Sequence, residues 1–187
     1  VKGEVARAVE PLLPANIHFV PGHPIAGTEQ SGAEAAFATL YQGKRCILTP
    51  TDKTDAVALD LVSKMWTIAG SEVVQMPLEK HDRVLAAISH LPHMVAYSLV
   101  NSVGSYDHYE ENILEYSAGG FRDFTRIASS DPTMWRDIAL TNRDALIEMI
   151  EHFEKFLSEL KEDIREGSDE KLFEFFLRSK QLRDAIL

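Results

Sequence analysis

Three short stretches of this chain carry residues that could do chemistry. The first is His23-Pro24-Ile25-Ala26-Gly27-Thr28-Glu29, which follows the apolar run Ile17-His18-Phe19-Val20. That run reads as a short buried strand, so His23 is expected just past a strand end, where α/β sheets bind ligands. An imidazole there can accept a proton near neutral pH. A surface or core-edge histidine with no role fits the same local sequence. The second stretch is Ser89-His90-Leu91-Pro92-His93. Ser89 and His93 lie four apart, on one face of a helix, and His90 lies close to that face. Core histidines satisfied by hydrogen bonds are the alternative. The third is Gly119-Gly120-Phe121-Arg122-Asp123-Phe124-Thr125-Arg126. Two arginines four apart beside a glycine pair suit an anionic ligand, or else form a solvated surface pair.

These stretches need elements to hold them. A helical pattern opens at once, with Val5, Ala8, Val9 and Leu12 on one face, and ends before Pro14. Strands are expected at Ile17 to Val20, Cys46 to Thr49 and Val73 to Met76. Between them, Ser31-Gly32-Ala33-Glu34 fits a capping box for a helix over residues 32–41. Thr51, Asp52 or Thr54 is expected to cap a helix whose inner face is Val57, Leu61, Val62, Met65 and Trp66. After Pro77 no strand signal returns. Residues 79–105 read as one helix kinked at Pro92, whose ring removes a donor and crowds the carbonyl of Ile88. Ser130 or Asp131, with Pro132, starts a helix of about 30 residues, and Gly167-Ser168-Asp169 turns into a last one. The long apolar stripes of these helices call for a partner; antiparallel pairing in a symmetric homodimer is the expected one, and an ordinary intrachain bundle the alternative.

Composition narrows the function classes. The 187 residues carry a net charge of -10, which argues against a nucleic-acid surface. A small anion remains a suitable ligand, because one well-placed arginine dominates locally. The single cysteine, Cys46, lies in an apolar run and reads as a buried thiol; it rules out an internal disulfide and a Cys-based zinc site. No metal is expected. No apolar stretch approaches a membrane span, no signal peptide is recognisable, and a cytoplasmic setting is expected. Val1-Lys2-Gly3 opens without an initiator Met and inside a helical pattern, as if the chain began within a domain. No G-x-G-x-x-G turn or P-loop occurs in the chain.

Read together and in order, five segments resemble the prephenate dehydrogenase family of tyrosine biosynthesis. They are His-Pro-Ile-Ala-Gly-Thr-Glu (23–29), Leu-Thr-Pro-Thr (48–51), Ser-His-Leu-Pro-His (89–93), Gly-Gly-Phe-Arg-Asp-Phe-Thr-Arg-Ile-Ala (119–128) and Asp-Pro-Thr-Met-Trp-Arg-Asp (131–137). The resemblance implies an α/β part followed by an all-α part. Residues 1–78 would be the C-terminal part of a Rossmann-like nucleotide-binding domain, and 79–187 a helical substrate-binding and dimerisation domain. The family's glycine-rich turn would lie upstream.

The implied reaction is oxidative decarboxylation of prephenate to 4-hydroxyphenylpyruvate, with NAD or NADP as hydride acceptor and NAD the first expectation. The resemblance makes His23 the proton acceptor and Arg126 the clamp on a substrate carboxylate. Ser89 and His93 would line the pocket, and Thr28 would sit beside the substrate. Glu29 and Asp123 would hold Arg126 in an ionic network. Trp135 would wall the pocket or serve as a core residue. The expected partners are prephenate or its aminated relative arogenate, and a second copy of the chain. The alternatives are a non-catalytic dimerisation and substrate-binding module, an arogenate-preferring dehydrogenase, or a different α/β-plus-helical dehydrogenase acting on a hydroxy acid.

Overall fold

In the computed structural model of the chain, which describes residues 1–27, 32–107 and 113–186, the α/β part is built on a small mixed sheet. Strand β2 (Arg45–Leu48) is central. It pairs antiparallel with β1 (Gly22–Pro24) and parallel with β3 (Glu72–Gln75). Cys46, Leu48 and Thr49 are fully buried, so the apolar run read from the sequence forms the middle of the core and Cys46 is a buried thiol.

The first strand is not where its apolar run predicts. Residues 17–20 form no strand and Ile17 is exposed; β1 begins at Gly22. Pro21 instead accepts from the Thr49 amide (2.8 Å), and the Ile25 amide donates to Arg45 (2.7 Å). Strand position depends on which neighbour offers a pairing edge, and local apolarity does not encode that. His23 therefore lies inside β1, opposite Ile47, rather than on a loop beyond it. Pro24 is tolerated there because β1 is an edge strand.

The helix expected over 32–41 is also absent. Only one 3-10 turn forms, Ala33–Ala35, entered from Gly32 at φ 93°. Phe37 stays exposed, so the segment buries too little to hold a short helix, which is marginal without a packed face.

Helix α1 (Lys2–Val9) buries Gly3 and Ala6, while Val5 on the expected stripe is exposed. Helix α2 (Ala56–Ile68) is capped by Asp55, whose side chain accepts from the Ala58 amide at 2.8 Å, not by Thr51, Asp52 or Thr54. Replacing Asp55 with Ala is expected to cost about 1 kcal/mol of stability, read by chemical denaturation. Val62 and Trp66 of α2 are half-buried, with Trp66 edge-on to Tyr41, but Val57, Leu61 and Met65 are exposed. The apolar stripe is wider than three short strands can cover.

Beyond β3 the described residues form helices and the turns that join them. Helix α3 (Leu78–Leu85) continues through a π turn (Ala86–His90) into α4 (Leu91–Asp107). The expected disturbance at Pro92 takes this form: the Leu91 amide reaches back to the Ala86 carbonyl, widening the turn ahead of the proline ring. After α5 (Gly119–Thr125) and a 3-10 turn (Arg126–Ser129), Asp131 caps α6 (Pro132–Thr141) by accepting from the Met134 amide. The single long helix expected from 131 is interrupted at Asn142, and α7 runs from Arg143 to Glu166. The Asn142 side chain is drawn into buried hydrogen bonds, which compete with regular helix geometry.

The chain forms two compact units, Val1–Leu146 and Ile147–Leu187. The second comprises most of α7 and α8 (Asp169–Asp184), joined at Gly167 with φ 66°. Within it the Arg178 guanidinium lies over the rings of Phe156 and Phe175. Leu157, Ile164, Phe173, Phe176 and Leu182 are exposed there. Among the described residues no helix is long and apolar enough to cross a membrane.

Candidate active site

A cavity of about 820 Å³ opens beside β1 in the first unit. His23, Ser89, His93 and Trp135 line it, with an apolar wall of Ile25, Ile47, Val74 and Met76. Residues far apart in the sequence meet here because β1 turns His23 toward the π turn that carries Ser89.

His23 stands at the end of a hydrogen-bonded chain. Its Nδ1 is 2.9 Å from Nε2 of His81, on α3. Nδ1 of His81 is 2.8 Å from Oδ1 of Asp82. That carboxylate also accepts the Lys2 amide (2.8 Å) and the Gly3 amide (2.9 Å) at the start of α1. Free amides at a helix N-terminus favour an anion. A Cβ at Gly3 would lie 2.9 Å from Asp82 Oδ2, so only glycine permits this approach. His81 is 1% exposed.

Burial, with Lys2 and His81 nearby, lowers the His23 pKa to about 4. At neutral pH His23 is therefore unprotonated and able to accept a proton. Hydrogen bonds from His81, Lys2 and Gly3 overcome burial at Asp82 and hold its pKa down to about 2.

His93 donates from Nδ1 to the Ser89 carbonyl (2.8 Å) and stacks on Trp135, with ring centroids 3.7 Å apart. The indole N–H of Trp135 is buried and finds no acceptor among the described residues. His90 points elsewhere. It is buried, accepts from the Asn142 amide (3.1 Å), and does not line the cavity, so it fits the satisfied core histidine. Burial pushes its pKa down to about 4.

These shifts make stability pH-dependent. His23 and His90 bind protons less tightly in the folded chain, at about 4, than at their ordinary 6.5. Between those values the unfolded chain holds more protons, so acid favours unfolding. Their contribution is complete above pH 6.5 and is lost as the pH falls toward 4. Asp82 adds a further loss as the pH falls from 3.8 to about 2. Thermal melting is expected to decline from pH 6.5 to 4, and His90→Gln should flatten that decline; a melting point constant over this range would contradict the burial of both histidines.

Of the other described residues singled out in the sequence, Arg122, Asp123 and Arg126 do not line the cavity. Arg126 begins the turn whose next residue, Ile127, lines it, as does Ser130 just past the turn, but Arg126 itself is exposed and not among the lining residues. Asp123 is exposed on α5. Arg122 is exposed and donates to the Ser117 hydroxyl. The glycine pair has open space where a side chain would go, so close approach does not require it. Thr28 and Glu29 lie outside the described residues. Arg45 and Glu72, which the sequence reading passed over, form an ion pair at the cavity edge. The reading also missed His81 and Asp82. A signal existed: His81 stands four residues before Leu85 on the buried stripe of α3, next to an aspartate. Among the described residues no group of His, Cys, Asp and Glu is arranged to hold a metal.

Comparison with known proteins accounts for nearly the whole chain. Residues 1–75 match the family model "Prephenate dehydrogenase, nucleotide-binding domain", and residues 77–178 match "Prephenate dehydrogenase, dimerization domain". The chain is 41% identical to the cyclohexadienyl dehydrogenase of Zymomonas mobilis, over 100% of this chain and 64% of that protein. It is 38% identical to the prephenate dehydrogenase of Bacillus subtilis, over 99% of this chain and 50% of that protein. A crystal structure of prephenate dehydrogenase from Aquifex aeolicus, in complex with hydroxyphenyl propionate and NAD+, superposes with a TM-score of 0.93 at 46% identity. That match covers 100% of this chain and 65% of the other. The chain thus spans half to two thirds of the length of these relatives.

Proposed function

Because this chain belongs to the prephenate dehydrogenase family, we propose that it carries the substrate-binding and dimer-forming part of an NAD-dependent prephenate dehydrogenase. The observation that carries this reading is His23, hydrogen-bonded to buried His81, at a cavity of about 820 Å³ that Ser89, His93 and Trp135 also line. We divide the chain functionally at residues 78 and 79, close to the junction of the two family models.

The chemistry asks for one base, anion recognition and a dry wall. NAD, when bound, supplies the hydride acceptor. The wall of Ile47, Val74 and Met76 beside His23 suits the flat redox end of such a molecule. This sequence contains no glycine-rich turn of the kind that cradles a pyrophosphate. His23 takes the proton of the ring hydroxyl as the substrate carbon is oxidised. Once carbon dioxide has left, the same proton returns to the phenolate oxygen, and His23 is regenerated. Arg126 clamps a carboxylate from the turn beside the cavity, with Asp123 and Glu29 holding its guanidinium. Ser89, His93 and Thr28 orient the ring. Trp135, stacked on His93, walls the cavity. Arogenate shares every group used here except at its side chain and is the second substrate considered.

The exposed apolar residues of α7 and α8 support a second copy of the chain as the partner. A cytoplasmic setting suits such a biosynthetic step. The test is calorimetric titration of this chain beside a version extended upstream by a nucleotide-binding half, with NAD and then prephenate. Binding and turnover by the extended protein alone support the reading. Failure of the extended protein to bind either ligand rejects it in favour of an assembly module.

A further inference from the structure

We propose that Asp82 and His81 together fix the tautomer of His23, making His81 a positioning residue for the base. This deepens the function proposed above and rests on His23 being the proton acceptor.

The argument follows hydrogen-bond polarity along the chain. An ionised carboxylate only accepts. Asp82 already accepts two backbone amides, from Lys2 and Gly3, so the contact at 2.8 Å must be a donation from Nδ1 of His81. A singly protonated His81 then presents a bare Nε2. That nitrogen faces Nδ1 of His23 at 2.9 Å, so Nδ1 of His23 must donate. The one proton of neutral His23 is spent there, and Nε2 keeps its lone pair. A base that must take a proton needs that lone pair. Without His81 the ring could carry its proton on either nitrogen, and one of those forms cannot act.

The arrangement is held from several sides. His81 is 1% exposed and has no room to turn. The Asp82 carboxylate is tied to the first amides of α1, and the Asp82 carbonyl accepts from the Asn142 side chain at 2.8 Å. These partners come from α1, α3 and the break between α6 and α7. Such convergence on one acid–imidazole pair exceeds what packing requires.

The experiment is a long-range proton–nitrogen correlation spectrum of the 187-residue chain with ¹⁵N-labelled histidine at neutral pH. His23 is assigned by the signals lost in His23→Asn. The expected result is a protonated Nδ1 and a bare Nε2 at both His23 and His81. A proton on Nε2 of His23, or a doubly protonated His81, would overturn the proposal. His81→Leu should leave His23 as a mixture of tautomers. His81→Gln, whose carbonyl can accept from Nδ1, should restore the single form.

In the extended enzyme, His81→Leu should lower kcat on the order of tenfold, the size of loss seen when a metal-bound histidine loses the partner fixing its tautomer, with KM unchanged. His81→Gln should recover most of it. If His81→Leu does not fold, the wild-type and His81→Gln spectra still decide. The spectra concern proton positions alone, so they remain valid if His23→Asn shows that His23 is not the base.

Discussion

His23→Asn in the complete enzyme is expected to lower kcat by about 10²- to 10⁴-fold, the usual contribution of a positioned general base. The Michaelis constant should change little. The substitution is chosen for its geometry. The Asn side-chain amide can still donate toward Nε2 of His81, as Nδ1 of His23 does at 2.9 Å. Only the basic nitrogen on the far side of the ring is lost. The two halves of the expectation therefore separate chemistry from binding. In the wild type, with His23 at about 4, kcat/KM should hold down to moderately acid pH and fall only near that value. Steady-state kinetics from pH 4 to 8 measure both. Undiminished turnover in the variant would remove His23 from the mechanism.

Arg126→Ala is expected to act on the other parameter, raising KM while sparing kcat. A lost hydrogen bond to a charged group costs roughly 1.5–3 kcal/mol, or about 10- to 150-fold in affinity. Arg126 opens the turn Arg126–Ser129, and its neighbour Ile127 lines the cavity, so a long side chain from this position can reach a bound carboxylate. The guanidinium is exposed in this structure, and exposed ion pairs are worth little. The full effect thus requires the substrate to draw Arg126 out of water. Arg126→Lys should recover only part of the loss, because a point charge cannot reproduce the bidentate fork. A Michaelis constant unaltered by Arg126→Ala would move the clamp elsewhere, and Arg45 at the cavity edge is then the next residue to replace.

Much of the helical part was readable from the chain alone. The stop at Gly167, the start at Asp131-Pro132 and the disturbance ahead of Pro92 each depend on residues within one turn of one another. Such short-range chemistry leaves its mark in neighbouring letters. The buried run Cys46 to Thr49 was equally clear, because it is apolar on both faces.

The failures share a cause. Residues 17–20 and 32–41 have the right local character for a strand and a helix and form neither. The outer stripe of α2 looks like a buried face and is exposed. In each case the outcome turned on what lies opposite in space, which no local pattern contains. Asn142 belongs here too: a helix-compatible stretch breaks because its side chain meets His90 and the Asp82 carbonyl.

The site divides along the same line. The types and order of its residues, His23, Ser89, His93 and Trp135, were set by the sequence, and so was the family. That His23 lies inside a strand, 58 positions from the histidine hydrogen-bonded to its Nδ1, was decided only by tertiary structure. Residue type states what a group can do. Which nitrogen is free to do it depends on a partner brought near by the pairing of β1 and the packing of α1 on α3, and such long-range contacts follow from the closing of the whole core.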